Sequence, residues 1–387
     1  MSNFETIISE NCKVFTDIVD ANSMGIINAL INSTIGKKSK IRIMPDVHAG
    51  AGCVIGTSMD TVDKVSPILL GGDIGCGVTG IKLHGKPKLN FDKLDKFIDF
   101  EIPNGMRIYD KPLNKADTDF TIDILDRLEC KNFNREKALR SIGTLGGGNH
   151  FIELGQEDYN GHESYWLIVH SGSRHLGAEV AEYYKNRAKE QHPEEPYAFA
   201  YLDGKLAEDF VYDVEMLEEF AHLNRLSILR LIADEMKWKY DIFDGLNSCH
   251  NYVHSIVDNS GETTVTKYRM RKGCISAARG MRSIIPINMR DGSIIVTGKA
   301  NEDWNYSAPH GAGRLMSREE AKNSITLSEF KKSMKGIYST SIMKSTIDES
   351  PMAYKSAEYL TERIGDTVRI DSVIKPVYNF KSEGETK

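Results

Sequence analysis

A glycine-packed run, GGDIGCGVTG at residues 71–80, constrains the local fold of this chain more than any other stretch. Its glycines permit a tight turn that would bring Asp73 and Cys76 to one point. A thiol beside a carboxylate then predicts half of a metal site. The alternative is a strand-turn-strand with a buried free cysteine, because cysteine packs as a small hydrophobe. The run alone leaves both interpretations open.

Three downstream histidines lie beside glycine, asparagine or serine: His150 in GGGNHFIE, His170 in IVHSGSR and His250 in SCHNYVH. Imidazoles and a thiolate together suit a borderline transition ion, and an aspartate adds a hard oxygen that Mn²⁺ or Fe²⁺ accepts. Each histidine alone could equally be a core or loop residue. As a set with Cys76, they indicate a metal centre.

His310, in SAPHGAGR, has a different setting. Two glycines follow the ring closely and open the backbone to a ligand, while Arg314 can take a phosphate bidentately. A neutral imidazole is also a competent nucleophile toward phosphorus. The sequence thus predicts a nucleophile here, with a surface histidine in a glycine loop as the alternative.

Short strands are predicted within residues 40–83, as IRIMP, GCVIGT, SPILL and GVTGIKL, and strands return at 263–297. Helices are predicted at 178–192 and 204–237, with a helix-rich tail from Ser317 to about Ile364. Apolar residues at helical spacing in the second helix predict a core-facing stripe: Met216, Leu217, Phe220, Leu223, Ile228, Leu231 and Ile232.

Strands and helices without a regular βαβ period indicate an irregular α+β fold with mixed sheets. No linker or repeat divides the chain. We therefore expect a single catalytic domain over residues 1–387, with a helical insert at about 178–240 and a short tail at 382–387.

No apolar run approaches the ~20 residues of a membrane span, and the N-terminus lacks a signal-peptide pattern. Six cysteines without a regular disulfide spacing fit a reducing compartment, so we expect a cytoplasmic protein with no membrane partner. A net charge of −6 argues against a general nucleic-acid binder. The stretch from Lys267 to Arg290 nevertheless has seven basic and no acidic residues, which indicates either a polyphosphate or RNA track or a solvated strand pair.

Eight motifs, in order over about residues 41–381, resemble the RtcB RNA ligase family. They are MPDVHAGAG (44–52), GGDIGCG (71–77), GTLGGGNHFIE (143–153), HSGSR (170–174), CHNYV (249–253), RKGCISA (271–277), HGAGR with the following MSR (310–318) and PMAYK (351–355).

The resemblance implies an RtcB-like fold and an enzyme that joins RNA 3′-phosphate or 2′,3′-cyclic phosphate ends to 5′-hydroxyl ends, in tRNA splicing or RNA repair. It implies GTP and two Mn²⁺ ions as cofactors, and we expect a monomer. His310 resembles the guanylylated nucleophile. The implied metal ligands are Asp73, Cys76, His150, His170 and His250, with Cys76 as the bridge.

The residues implied to bind the nucleotide span several motifs. They are Asn149, His150, Phe151, Ile152, Glu153, His250, Asn251, Pro286, Ile287, Asn288, Met289, Ser293, His310, Gly311, Ala312, Gly313, Tyr354 and Lys381.

One loop departs from the family pattern P-G-S/T-M-G, because PINMR at 286–290 replaces its two glycines with Ile287 and Arg290. Arg290 either adds a phosphate contact or narrows the site. The departure indicates a divergent branch of the family, serving RNA repair. Two alternatives remain: a dinuclear metal-dependent cyclic phosphodiesterase, which needs no His310 adduct, and a non-catalytic RNA-end-binding protein.

Overall fold

A computed structural model describes residues 4–159, 161–258 and 265–382. The strands in these ranges are β1 (Thr6–Ser9), β2 (Cys12–Val14), β3 (Lys40–His48), β4 (Ile55–Val62), β5 (Lys64–Val65), β6 (Gly77–Leu83), β7 (Phe151–Tyr159), β8 (His162–Ser171), β9 (Leu202–Asp203), β10 (Leu246–Cys249), β11 (Asn251–Asp258), β12 (Val265–Lys272), β13 (Cys274–Ser276), β14 (Arg282–Asn288), β15 (Gly292–Gly298), β16 (Ser307–Pro309) and β17 (Val368–Lys381).

The α-helices are α1 (Ala21–Asn32), α2 (Pro67–Leu70), α3 (Phe91–Glu101), α4 (Lys115–Arg127), α5 (Arg135–Leu139), α6 (Arg174–Gln191), α7 (Gly204–Met236), α8 (Arg318–Ser324), α9 (Leu327–Ser333) and α10 (Ala357–Arg363). Short 3₁₀ turns lie at Gly36–Lys38, Tyr197–Phe199, Ile242–Asp244, Glu302–Trp304, Lys344–Glu349 and Pro351–Ala353.

Two sheets organise the fold. One has the strand order β1-β2-β3-β4-β12-β11, and the other has the order β10-β6-β8-β7-β17-β15-β14. In the second sheet the edge strands β10 and β14 approach each other, and the N–H of Ile284 donates to Oγ of Ser248 at 2.8 Å. This sheet therefore curls back on itself. The mixed, irregular α+β class predicted from the sequence is confirmed.

The second sheet collects the predicted site. β6, β8 and β7 are neighbours, so residues from three distant motifs meet at one end of adjacent strands. β10 pairs with β6 from the other side and ends at Cys249. Strand pairing thus explains why motifs separated by up to about 170 residues of sequence reach the same place.

Helix α7 covers this sheet and packs against β6, β8 and β11. Its apolar stripe is core as predicted: Met216, Leu217, Phe220, Leu223, Ile228 and Ile232 are buried, and Leu231 is partly buried. The same helix also buries Asn224 and Arg225 completely. Buried polar groups need partners, and both side chains find theirs in the loops of the site.

One strand prediction is wrong. SPILL, at 66–70, forms the short helix α2, because the Ser66 side chain accepts the N–H of Leu69 as an N-cap and Pro67 occupies the first turn. The helices predicted at 178–192 and 204–237 are confirmed as α6 and α7, and the helix-rich tail is confirmed by α8 to α10. Residues 263–264 of a predicted strand and 383–387 of the predicted tail lie outside the described residues.

Among the described residues, no helix combines the length and apolar character that crossing a membrane requires.

Candidate active site

Cys76 lies in the turn that leads from α2 into β6. Gly75 in this turn has a φ of 75°, and a Cβ there would lie 2.7 Å from the carbonyl oxygen of Leu217 on α7. Only glycine fits such a position. The N–H of Cys76 donates to the carbonyl of Asp73 at 3.1 Å. The turn thereby presents a buried thiol, 6% exposed, to the ends of the neighbouring strands.

Three histidines meet this thiol from different strands. Sγ of Cys76 lies 3.3 Å from Nε2 of His170, near the end of β8, and 3.5 Å from Nε2 of His150, just before β7. His250 lies between β10 and β11, and its N–H donates to the carbonyl of Cys76 at 2.9 Å. One ligand atom from each of Cys76, His170 and His250 lies within 4.8 Å of the other two.

Hydrogen bonding fixes the orientation of His150. Its Nδ1 lies 2.8 Å from the carbonyl oxygen of Leu145, which can only accept, so Nδ1 carries the proton and Nε2 faces the thiol with its lone pair. A Cβ on Gly146 would lie 2.5 Å from that Nδ1, and the φ of Gly146 is +90°. Gly146 is therefore required by the close packing of the His150 imidazole and the Arg174 guanidinium against its backbone.

Burial keeps these imidazoles neutral. It lowers the pKa of His150 to about 3, and it lowers the pKa values of His170 and His250 well below the usual range, helped by neighbouring histidines. Burial, with the charge of Asp73, raises the pKa of the Cys76 thiol to about 12. Neutral imidazole is the form that binds metals.

The donor set fits a divalent transition ion. One sulfur and several imidazole nitrogens converge, and Nδ1 of His250 is buried with no hydrogen-bond partner among the described residues. Asp73 is exposed and lies outside the close group of Cys76, His170 and His250. Its role as a ligand, and a second metal ion, stay predictions.

His310 follows β16 and is held by a buried carboxylate. Nδ1 of His310 lies 2.7 Å from Oδ2 of Asp46, which also accepts the backbone N–H of His310 at 3.1 Å. The carboxylate fixes the proton on Nδ1, so Nε2 is free to act as a nucleophile. The rings of His310 and His250 are 4.7 Å apart, which places the predicted nucleophile beside the metal-ligating group.

A cavity opens at His310. Predicted nucleotide residues that line it are Asn149, Phe151, Glu153, Pro286, Ile287, Asn288, Met289, Gly311, Ala312, Gly313, Tyr354 and Lys381. Of the other predicted residues, Ser293 is buried and its hydroxyl lies 3.5 Å from Oε1 of Glu153, Asn251 donates to the carbonyl of Leu70 at 3.3 Å, and Ile152 is a core residue.

One end of the cavity is an ion-pair network around Glu349. Its Oε2 lies 2.8 Å from Nζ of Lys381 and accepts the hydroxyl of Tyr354 at 2.6 Å. Its Oε1 lies 2.6 Å from the guanidinium of Arg318. Burial raises the pKa of Glu349, but Lys381 and Arg318 outweigh it and lower the pKa to about 2. The residues that would hold a base are thus locked together before any ligand binds.

Glu153, the other carboxyl group that lines the cavity, has a raised pKa where Glu349 has a lowered one. It is 2% exposed, and its carboxylate accepts from Asn379 at 3.1 Å. Burial raises its pKa to about 8, although Asn379, Lys381 and Ser293 oppose the shift. The cavity therefore has one strongly acidic carboxyl group and one that retains its proton near neutrality.

Sequence reasoning missed two buried polar residues of α7 whose hydrogen bonds fix the loops of the site. Arg225 on α7 donates to the carbonyls of Gly75 and Ser171, at 3.0 and 2.8 Å, and to Oδ1 of Asn247 at 3.0 Å. Each acceptor lies on a segment that carries a ligand. Asn224 accepts the N–H groups of Gly143 and Thr144 and donates to the carbonyl of Gly172. Two polar residues within an apolar helical stripe were the available signal.

Three of the seven basic residues at 267–290 have structural roles. Arg269 forms a bidentate ion pair with Asp60, at 2.6 and 2.7 Å. Arg271 and Lys272 are buried, and Lys272 donates to backbone carbonyls, including that of Leu69 at 2.8 Å. The structure therefore does not support a continuous phosphate track, and burial also contradicts a fully solvated strand pair.

In the divergent loop, which begins at Pro286, the polar side chains bond to neighbouring residues of the same loop. Oδ1 of Asn288 accepts the N–H groups of Arg290 and Asp291, at 3.0 and 2.9 Å, and the Arg290 guanidinium pairs with the Asp291 carboxylate at 2.7 and 2.8 Å. Ile287 and Met289 are buried and line the cavity. Arg290 thus neither fills the cavity nor offers it a free cation.

Comparison with known proteins points to one family. The family model described as "tRNA-splicing ligase RtcB" matches residues 30–127 and 110–382. The chain is similar to RNA-splicing ligase RtcB of Escherichia coli K12, with 28% identity covering 98% of this chain and 100% of that protein. RtcB2 of E. coli ATCC 25922 is 30% identical over 89% of this chain and 88% of its own length. The tRNA-splicing ligase RtcB of Nanoarchaeum equitans is 27% identical over 82% of each chain.

Proposed function

The chain belongs to the RtcB family of RNA ligases, and from this membership we propose that it joins RNA ends bearing a 3′-phosphate or 2′,3′-cyclic phosphate to ends bearing a 5′-hydroxyl, at the expense of GTP. The protein is an RNA ligase of tRNA splicing or RNA repair. One observation carries the proposed mechanism: His310, held by Asp46 at 2.7 Å, opens on a cavity beside the Cys76–His170–His250 group.

The proposed reaction begins with the opening of any cyclic phosphate to a 3′-phosphate. Nε2 of His310 then attacks the α-phosphorus of GTP, an N–P bond forms, and pyrophosphate leaves with the electrons of the broken P–O bond. Asp46 retains its hydrogen bond to Nδ1–H and stabilises the positive charge that develops on the ring.

The RNA 3′-phosphate next attacks the same phosphorus, and His310 leaves as a neutral imidazole with its proton still on Nδ1. The product is an RNA-3′-pp-5′-G end. The 5′-hydroxyl finally attacks the RNA phosphorus and displaces GMP. The GMP transfer is needed because a bare 3′-phosphate has no competent leaving group, whereas its guanylylated form has one.

Asp73, Cys76, His150, His170 and His250 would hold two Mn²⁺ ions, which would neutralise phosphate charge during these displacements. The Cys76 thiol and the neutral imidazoles of His170 and His250, with ligand atoms within 4.8 Å of one another, support part of this donor set.

Guanine would be selected over adenine by one hydrogen-bond acceptor and one hydrogen-bond donor in the same cavity. Once Glu153 gives up its proton, its carboxylate can accept the N1–H and N2–H groups of guanine, and Lys381 can donate to O6. Adenine presents a donor at position 6, so the lysine would oppose it. The Tyr354 ring would pack against the base. Glu153 and Lys381 both line the cavity into which His310 opens, which supports a guanine nucleotide.

The proposal treats the chain as one catalytic domain that acts as a monomer, with residues 178–240 between two strands of the site-bearing sheet. It also includes a cytoplasmic location, which is supported by the absence of disulfides: all six cysteines are free thiols.

Neither alternative is favoured. A cyclic phosphodiesterase would not need a histidine whose Nδ1 is fixed by a buried carboxylate outside the metal group. A passive RNA-end binder would not need the polarised nucleophile. The His310–Asp46 pair therefore favours ligation.

The test is to incubate the protein with Mn²⁺ and GTP labelled at the α-phosphate. We expect an acid-labile, alkali-stable adduct that disappears in His310→Ala and persists in a matched variant of a distant exposed histidine, His162→Gln. Absence of any adduct from protein that has bound metal would refute ligation at its first step.

A further inference from the structure

His48 is a cavity residue that the reaction above leaves without a role. It is the last residue of β3 and lines the same cavity as His310. The two histidines share one anchor: Asp46 binds His310 through its carboxylate and His48 through its backbone carbonyl.

That anchor fixes the tautomer of His48. Its Nδ1 lies 2.9 Å from the carbonyl oxygen of Asp46. A carbonyl oxygen only accepts, so Nδ1 carries the proton and Nε2 carries the lone pair. No described residue hydrogen-bonds to Nε2, so this nitrogen can serve a ligand in the cavity.

The other proton acceptors along the cavity are already engaged. Glu349 is bound by two cations and a tyrosine hydroxyl. Glu153 retains its proton near neutrality and faces Asn379. His170 faces the Cys76 thiol, and His310 is the nucleophile. Among the titratable groups of the described cavity, His48 alone combines a free lone pair with no assigned task.

From an RNA 3′-phosphate onward, the proposed reaction needs such a group once. Guanylylation is an attack by a neutral nitrogen, and GMP transfer is an attack by a phosphate oxygen, so neither step removes a proton from the nucleophile. Joining is different, because a 5′-hydroxyl is a weak nucleophile until its proton is removed.

On the premise of the proposed function, we propose that His48 is the general base of the joining step. Nε2 of His48 takes the proton of the RNA 5′-hydroxyl as the 5′-oxygen forms its bond to the RNA 3′-phosphorus. The P–O bond to GMP breaks, and GMP leaves with its electron pair. The imidazolium then returns its proton to solvent.

The surrounding charges suit a base that works only with RNA bound. Burial lowers the pKa of His48 to about 4; the hydrogen bond to the Asp46 carbonyl and the Asp46 carboxylate oppose this shift, and the nearby His310 and Lys355 side chains reinforce it. The ring is therefore neutral before RNA binds. An RNA phosphate in the cavity brings negative charge next to it, which raises its proton affinity when the 5′-hydroxyl arrives.

The variant that isolates this role is His48→Asn. The Asn amide nitrogen occupies nearly the position of Nδ1 and can still donate to the carbonyl of Asp46, but no group replaces the Nε2 lone pair. His48→Ala removes both functions, and His162→Gln on the exposed end of β8 controls for the loss of a histidine.

Two single-turnover steps are measured with the full-length proteins and Mn²⁺: formation of the His310 adduct from labelled GTP, and joining of preformed RNA-3′-pp-5′-G to a 5′-hydroxyl RNA without GTP. For His48→Asn we expect adduct formation close to wild type and joining slower by about 10²-fold or more. The wild-type joining rate should also rise with pH along a limb that the variant lacks.

Joining by His48→Asn at the wild-type rate, with the same pH profile, overturns the proposal. Equal losses in both steps also overturn it, because they mean that His48 acts only by holding Asp46 and His310. A wild-type protein that joins the preformed RNA but forms no adduct instead refutes the proposed function, so the two failures are distinguishable.

Discussion

His310 and Asp46 are joined by two hydrogen bonds to one carboxylate oxygen, 2.7 Å from the ring Nδ1 and 3.1 Å from the backbone nitrogen of His310. The side chain that orients the nucleophile thus also fixes its main chain. Asp46 has no exposed surface, and the proposed nucleophile is accordingly held in place before any ligand binds.

Replacing Asp46 by Asn tests this arrangement. An amide can donate to Nδ1 and so shift the ring proton to Nε2, the attacking atom. We expect adduct formation from labelled GTP to slow by on the order of 10⁴-fold, as for a triad histidine held in the wrong tautomer. Asp60→Asn, which breaks an ion pair with Arg269 outside the cavity, is the control. An Asp46→Asn protein that reacts as fast as wild type would remove the carboxylate from the mechanism.

Cys76→Ser should weaken metal binding, because a serine hydroxyl is a far poorer ligand for a transition ion than a thiolate. Bound Mn²⁺ per chain, measured after equilibrium dialysis, should fall, with joining lost in parallel. Cys12 and Cys130 are equally buried but lie in the apolar core, so Cys12→Ser and Cys130→Ser should lower the melting temperature and leave metal content intact. Similar metal losses in all three variants would contradict the assignment of Cys76.

Arg225→Met should loosen the metal-ligating segments from behind. The substitution removes the donors to Gly75, Ser171 and Asn247 and leaves buried acceptors unpaired, at a cost of about 2–4 kcal/mol in the free energy of unfolding. We also expect weaker Mn²⁺ binding, because the turn of Cys76 and the end of β8 lose their common anchor. Arg187→Met, on the exposed side of α6, should change neither. Full metal affinity in a folded Arg225→Met protein would show that strand pairing alone positions the ligands.

Glu349 and Glu153 predict opposite pH dependences of stability. The folded-state pKa of Glu349, about 2, lies below its ordinary value of 4.5, so its contribution is present above pH ~4.5 and is lost as pH falls toward 2. The folded-state pKa of Glu153, about 8, lies above 4.5, so its contribution is present below pH ~4.5 and is lost as pH rises to 8.

Thermal unfolding between pH 2 and 9 tests both carboxyl groups. Glu349→Gln should flatten the acid limb. Glu153→Gln should raise the melting temperature above pH 8 while it weakens GTP binding, a gain of stability at the expense of function. An acid limb that is unchanged in Glu349→Gln would place the origin of that limb outside the cavity.

Arg290→Ala should leave both adduct formation and the KM for GTP close to wild type, because the guanidinium is already paired with Asp291 at 2.7 and 2.8 Å. Ile287→Gly should instead reduce stability by about 1–3 kcal/mol, because a buried side chain is removed. A large rise in KM for Arg290→Ala would mean that this side chain leaves Asp291 to contact the nucleotide.

Sequence reasoning singled out the candidate site residues because their neighbours are unusual. Glycine, asparagine and serine beside Cys76, His150, His170, His250 and His310 mark strand ends and turns, and the order of the motifs identified the family. The ligand group then follows from pairing among β6, β7, β8 and β10.

Other features lacked a local signal. Asp46 lies in the MPDVHAGAG motif, but nothing in its spacing relates it to His310, 264 residues away. The polar pair on α7 interrupts an apolar stripe, which is only a weak signal, and its hydrogen-bond partners are distant in the sequence. SPILL was assigned to a strand because so short an apolar run fits either the strand or the helix period, and the Ser66 cap with Pro67 decided the outcome. The basic stretch at 267–290 was open to misinterpretation because a charge pattern does not show which carboxylates or backbone carbonyls the fold will place beside each basic side chain.

Arg225 bears on whether residues 178–240 could be deleted. If this helical insert were peripheral, it could be shortened by protein engineering without harm to the enzyme. Here, however, Arg225 on α7 donates hydrogen bonds to the loops that carry the proposed metal ligands. Deleting α7 would leave those loops without these hydrogen bonds. We therefore expect that the helical layer unfolds and the metal is released at the same time. A minimal ligase would have to retain α7 and be trimmed elsewhere.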